Sequence, residues 1–223
     1  MFSQSWFGCL SVVCLALGLS SSGRLAANQA APEPPDGDRT AQPLPTDVVS
    51  AWEKAGASVG WFGPASTGRF GPDRRNGYWQ FNTQREELDV ARSVPAFKIH
   101  AWREGMLAKL PAPARAFGLD LSETHVTDAG LKELAGLKQL TTLDLFGTQV
   151  TDAGLKELAG LMQLTTLDLS FTKVTGTGLK ELAGLMKLTT LYLSDTQVTD
   201  AGLKELAELM QLTDLDLSYT KVT

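Results

Sequence analysis

Cysteine is nearly missing. The 223 residues hold two, Cys9 and Cys14, both within the first 30 positions. If that leading stretch is removed, the remaining chain has no thiol, which excludes disulfides, thiolate metal sites and cysteine nucleophiles. Histidine is as scarce, with His100 and His125 alone. Neither has a helical partner at ligand spacing, which argues against a metal site or a histidine base. The glycine-rich loop from Gly60 to Gly77 has neither the GxGxxG nor the GxxxxGK[ST] spacing, and no GxSxG occurs anywhere, so phosphate-cradling and serine-elbow chemistry have no carrier. Arg69, Arg74 and Arg75 in that loop read as a solvated surface before they read as an anion site. The most apolar run, Trp6–Leu19, is too short to span a bilayer comfortably. Arginine is absent from residues 116–223, which carry eight Lys against fifteen Asp and Glu, net −7. Nucleic acid is therefore an unsuitable partner for that half.

What is present is repetition. Leu140–Gln163 (LTTLDLFGTQVTDAGLKELAGLMQ) recurs as Leu164–Lys187 and Leu188–Gln211, with a divergent first copy at Ala116–Gln139 and half a copy at Leu212–Thr223. The period is 24 residues without insertion or deletion, and a fixed period of this size predicts a solenoid. Within one copy, Leu143-Asp144-Leu145 alternates as a strand does, both leucines on one face. Thr151-Asp152 stands where a helix N-cap belongs, and Leu155 and Leu158 follow at helical spacing. Each copy should thus be strand, turn, short helix, return. One copy alone cannot bury its seven apolar columns, so neighbours must stack to share a core.

The LxxLxL segment followed by TxV, and the phrase VTDAGLKELAGL, resemble leucine-rich repeats. The phrase VTDAGLKELAGL closely resembles the cysteine-containing subtype and many bacterial relatives. The resemblance covers 116–223, about half the chain. The resemblance implies a right-handed α/β solenoid with a parallel sheet on the concave face and short helices on the convex face. It also implies a protein-interaction scaffold, and the scarcity of chemistry-bearing motifs noted above points to no cofactor and no enzymatic role. Position nine departs from the family: Thr124, Thr148, Thr172, Thr196 and Thr220 stand where Asn or Cys is usual. A threonine hydroxyl there is expected to bond the backbone of the neighbouring coil.

The domain plan follows. Residues 1–27 read as a signal peptide: an apolar run, then small residues, though Met1–Ser5 lacks the usual basic residue. An uncleaved anchor is the rival, and neither cysteine has the setting of a lipidated one. Residues 28–46 are a proline-rich linker. Residues 47–115 form an N-terminal cap, with a helix from Thr46-Asp47, strands near Val59–Phe62 and Tyr78–Phe81, and a worn repeat in which Val94, Phe97 and Ile99 copy LxxLxL. The four tryptophans after Trp6 lie in this segment and should cover the open end of the array. The parallel sheet should begin near Phe97. At the other end, Leu212, Leu215, Leu217 and Val222 should lack a covering coil, which invites end-to-end self-association.

Comparison between copies points to a surface. Inward columns hardly change, whereas positions three, five, seven and eight vary. Position five reads Asp120, Asp144, Asp168, Tyr192 and Asp216; Phe146 stands at position seven; Phe171, Asp195 and Tyr219 stand at position eight. These nine residues are the expected protein-binding site, an acidic concave face with aromatic anchors. The row of aspartates should repel itself, and the lysines of the repeats are poorly placed to neutralise it, so a ligand with a basic, partly apolar segment is expected. The function so read is an exported, non-enzymatic binder of a protein or peptide. The alternatives are a self-assembling envelope component and a substrate receptor of the ubiquitin-ligase type, the latter without the helical segment that should precede its repeats.

Overall fold

The structure is a computed structural model that describes residues 43–64, 79–84, 88 and 92–223. The signal segment, most of the linker and the arginine loop lie outside the described residues. Helix α1 (Thr46–Lys54) leads into strands β1 (Ala57–Pro64) and β2 (Trp79–Asn82), then β3 (Val94–Ile99). After these come β4 (Phe117–Asp120), β5 (Leu140–Asp144), β6 (Thr166–Asp168), β7 (Thr190–Tyr192) and β8 (Asp214–Asp216). All eight form one sheet in the order β2-β1-β3-β4-β5-β6-β7-β8. Strands β3 to β8 are parallel, and β1 and β2 continue the sheet antiparallel at the N-terminal side. The parallel sheet therefore does begin in the worn repeat.

Each return path carries one turn or two of helix, α-helical at Asp128–Leu131, Asp152–Leu158 and Asp200–Leu203 and 3-10 at Leu179–Leu182. Thr151 caps its helix by accepting from the Ala153 amide at 3.2 Å. An acid at position thirteen then ties adjacent coils. Asp128 accepts from the Thr151 amide (2.8 Å) and hydroxyl (2.7 Å), and Asp152 does the same for Thr175 at 2.7 and 2.6 Å. Glycine at position fifteen is required by this tie, because a Cβ on Gly154 or Gly178 would collide with the carboxylate of Asp128 or Asp152. Copy three has Gly176 in place of the acid, and there the backbones of Gly176 and Gly202 meet directly.

The core is a set of leucine columns, with Leu143, Leu145, Leu155, Leu158, Leu161, Leu164 and Leu167 fully buried, and their equivalents buried as far as Leu209 apart from Ala116. Copy one contains a correction. Ala116 does not fill the first column. The register shifts between Phe117 and Gly118, so Phe117 pairs with Leu140 and takes the buried place. Phe117 belongs to the cap's aromatic plug: Trp52 stacks on Phe97 with centroids 4.2 Å apart, and Phe117 meets both edge-on at 6.3 Å. The Trp52 indole N–H donates to the Pro111 carbonyl at 3.0 Å. Glu133 of copy one completes the seal, accepting from the amides of Gly105 (2.6 Å), Leu107 (2.9 Å) and Ala108 (3.3 Å). On the opposite face of the sheet Phe62 of β1 lies over Gly118, close enough that a Cβ there would come within 2.6 Å of its ring.

At the far end Leu212, Leu215, Leu217 and Val222 are only partly buried. Burial predicts the cost of truncation. Leu167→Ala should destabilise the fold by roughly 2–5 kcal/mol through lost transfer energy and a cavity. Lys156→Ala, on an exposed helix position, should cost under about 0.5 kcal/mol. Denaturant melts of the two variants check this, and equal losses would refute the inward register.

Candidate binding surface on the strand face and rim

Strand register places the position-five residues in one row: Lys98, Asp120, Asp144, Asp168, Tyr192 and Asp216. Neighbours in such a ladder are about 4.8 Å apart. The first member was missed by sequence reasoning, and it corrects the expectation that no lysine neutralises the row. The Lys98 ammonium sits 2.8 Å from Asp120 Oδ2 and 3.3 Å from Ser122 Oγ. The signal was available, because Lys98 follows Phe97 just as Asp120 follows Leu119.

The aspartates also have a local task. Asp120, Asp144, Asp168 and Asp216 each accept through Oδ1 from the amide two residues on, at 2.7–2.9 Å. This Asx turn ends the strand and starts the bend. It explains why aspartate recurs at position five without any ligand. Asp120, Asp144 and Asp216 are buried, and Asp168 is half-buried. Tyr192 is 1% exposed, so it is not the open anchor that the copies suggested; its hydroxyl lies 3.4 Å from Asp214 Oδ2.

Position eight behaves otherwise. Glu123, Phe171, Asp195 and Tyr219 have φ of 59°, 57°, 53° and 58°, and Gly147 has 67°. Every copy thus passes through the left-handed region at the same place, and only one uses the residue suited to it. Tyr219 does so with no coil beyond it, so the conformation belongs to the turn within each coil; in the other four copies it also carries a hydrogen bond between coils. The amides of Glu123, Gly147, Phe171 and Asp195 donate to the carbonyls of Phe146, Ser170, Ser194 and Ser218 at 2.7–3.0 Å. The side chains then project at the rim beyond the strand ends. Phe171 is 51% and Tyr219 75% exposed, and Glu123 and Asp195 are exposed too. Phe146, half-buried, reaches Phe171 with centroids 4.9 Å apart and planes tilted by 50°. The nine expected residues therefore divide into a largely buried row and an exposed rim.

A family model for leucine-rich repeats matches residues 119–135, 138–159, 161–183 and 184–207. These coils are leucine-rich repeats. Among solved structures, an internalin from Listeria monocytogenes is 25% identical with a TM-score of 0.44; the match covers 53% of this chain and 31% of that one. Internalin C2 from the same organism is 25% identical with a TM-score of 0.41, over 62% of this chain and 71% of that one. The leucine-rich-repeat ectodomain of the receptor kinase SOBIR1 from Arabidopsis thaliana is 19% identical with a TM-score of 0.35, over 59% and 77%. The chain spans about a third of the length of the first internalin. No curated protein matches it.

In these leucine-rich repeats the position-nine threonines bond their own coil, not the neighbour as expected. Thr124, Thr148, Thr172, Thr196 and Thr220 donate to the carbonyl three residues earlier at 2.6–2.7 Å. A hydroxyl is short enough to close the turn and leaves the next coil untouched. The leucine-rich repeats hold no catalytic constellation. Among the described residues the nearest approach to one is in the cap, where Ser58 Oγ lies 2.7 Å from His100 Nε2. His100 is exposed and no described acid orients it, so the contact pins β1 to the end of β3. No group of three or more His, Cys, Asp or Glu among the described residues could hold a metal ion.

The buried row makes stability depend on pH. Burial, then the carboxylates of Asp168 and Asp120, push the Asp144 carboxyl well above the usual carboxylate range, against the Phe146 amide and Lys98. Folded Asp144 therefore keeps its proton to higher pH than unfolded Asp144. Its contribution is present below the ordinary carboxylate value and is lost as pH rises through the folded value. Asp152 has the opposite sign. Partial burial raises it, but the hydroxyl and amide of Thr175 and the hydroxyl of Thr177 together hold it lower, so its contribution is lost as pH falls. Asp144→Asn keeps an acceptor for the Phe146 amide and removes the repulsion. It should stabilise the fold by about 1 kcal/mol at pH 7 and by nothing at pH 3. Denaturant melts at both values check this, and a loss at pH 7 would contradict it.

Proposed function

We propose that this chain is an exported, non-enzymatic protein-binding module whose partner sits on the rim of the strand face. One observation carries the reading. Phe171 and Tyr219 are bulky, exposed and held in a backbone conformation that disfavours them. A left-handed side chain costs roughly 1–2 kcal/mol relative to glycine, and Gly147 shows that glycine fits the same place. Strain retained at an exposed aromatic is a signature of function before packing. Large rings at a well-ordered surface supply most of the energy in protein interfaces, and solenoids offer extended surfaces for this use.

The acidic row lies beside the rim: Asp120, Asp144, Asp168 and Asp216, with Tyr192 among them. With fifteen acids against eight lysines in residues 116–223, and with Glu123 and Asp195 exposed on the rim itself, the repeats favour a partner with a basic, partly apolar segment, bound less tightly as salt rises. Export rests on the composition of the first 27 residues. No helix among the described residues is long and apolar enough to cross a membrane. Protein recovered outside the cell should lack its first 20–31 residues, and mass spectrometry that finds Met1 intact on cytosolic protein would overturn export.

The binding test uses a photo-crosslinking phenylalanine analogue at Phe171, at Tyr219 and, as control, at Lys156. One partner captured from both rim positions and not from Lys156 is expected; equal capture from all three would refute the rim. Phe171→Gly with Tyr219→Gly should weaken binding of that partner at least tenfold. The same pair should leave the melting temperature unchanged or higher, because two strained residues are relieved.

A further inference from the structure

The rim is uneven. In coil order its position-eight residues are Glu123, Gly147, Phe171, Asp195 and Tyr219. Four of the five project a side chain and Gly147 projects none, so the ridge has a notch one residue wide. Its walls differ. On one side stands Glu123: a Cβ built on Gly147 would lie 3.8 Å from Glu123 Cγ and 3.9 Å from its Cα, ordinary van der Waals contact. On the other side stands Phe171, half exposed, with Phe146 tilted against it at 4.9 Å. A side chain entering over Gly147 would thus lie against the arm of Glu123, with the aromatic pair one coil along on its other side.

We propose that this notch receives an arginine side chain of a protein partner. The inference rests on the rim reading above and names its chemistry at one place. A guanidinium is the group that answers both walls. Its N–H donors meet a carboxylate such as that of Glu123, and its flat, weakly hydrated plane lies against an aromatic face. The three methylenes of its stem match the apolar sides of Phe146 and Phe171. The net charge of the leucine-rich repeats, −7 over residues 116–223, draws a cation toward it. The next coil offers a second acid, Asp195, on the far side of Phe171, so a following basic residue of the same partner would find a charge one coil along.

The fold supplies the control. A side chain at position eight is already accepted in the same backbone conformation by Glu123, Phe171, Asp195 and Tyr219. Gly147→Asn should therefore fold, since asparagine tolerates that region best after glycine, while filling the notch. The probe is the tripeptide acetyl-Gly-Arg-Gly-amide, with its citrulline counterpart, which keeps the shape and lacks the charge. Amide shifts of the full chain are followed by NMR at low salt. Binding in the millimolar range is expected, with shifts centred on Glu123, Gly147 and Phe171. It should be at least tenfold weaker for the citrulline peptide and for Gly147→Asn, whose melting curve stays near that of the parent. Phe171→Ala should weaken it without moving the fold. Equal response to both peptides, an unchanged response in Gly147→Asn, or shifts that map elsewhere would overturn the notch. A partner still crosslinked through Phe171 and Tyr219 in Gly147→Asn, at undiminished affinity, would also sink the notch while sparing the wider rim reading.

Discussion

The hydrogen bonds that pass from each coil to the next decide both the fold and its surface. A coil of 24 residues is too short to bury its own leucines, so its strand must find a neighbour and lie in register with it. The ladder does not stop at the strand. The amide of position six donates to the position-five carbonyl of the next coil, as Leu145 does to Asp168 at 2.9 Å, and the amide of position eight donates to position seven. That last bond falls where the chain turns toward the helix side through positive φ, a conformation that Tyr219 keeps with no following coil to bond. Core and rim thus meet at one ladder.

The capping arrangement follows the same logic. A parallel ladder begun at β3 would leave an edge and an open core, and both are dealt with by the segment before the repeats. The antiparallel pair β1 and β2 satisfies the edge, while Trp52, Phe97 and Phe117 fill the space that a preceding leucine coil would have filled. Glu133 then binds three cap amides through one carboxylate. The first coil is thus specialised in a way that the later copies, with Glu157, Glu181 and Glu205 at the same position, are not. This is the pattern expected of a quasi-one-dimensional fold, where each unit answers only to its neighbours.

Most of the architecture was legible because repetition makes one sequence into its own alignment. The strand, the cap helix at Thr46, the worn repeat at Val94–Ile99 and the inward columns all follow from spacing. What was not legible involved contacts that spacing does not encode. The register shift at Phe117 depends on an aromatic plug assembled from three distant segments. The Asx turns gave the aspartates of position five a structural purpose that looks, in the sequence, like an acidic binding face. Tyr192 reads as an anchor by type and is buried in fact. The left-handed geometry at position eight was hidden because Glu, Phe, Asp and Tyr do not announce it. Gly147 alone hinted at it, and one glycine among five residues is a weak signal.

The meeting of Gly176 and Gly202 on the helix side has a consequence for the opposite face. A curved array needs its outer side longer than its inner one, so the thickness of what lies between helices tunes the bend. Copy three has lost the acid that spaces its neighbours, and two bare backbones touch instead. A methyl group at either glycine would act as a wedge, forcing those helices apart and hinging the array more sharply at that joint. Phe171 and Asp195, which straddle the same joint at the rim, would change their separation although neither had been altered. The geometry presented to a partner is in this sense adjustable from behind, by the smallest residues in the molecule.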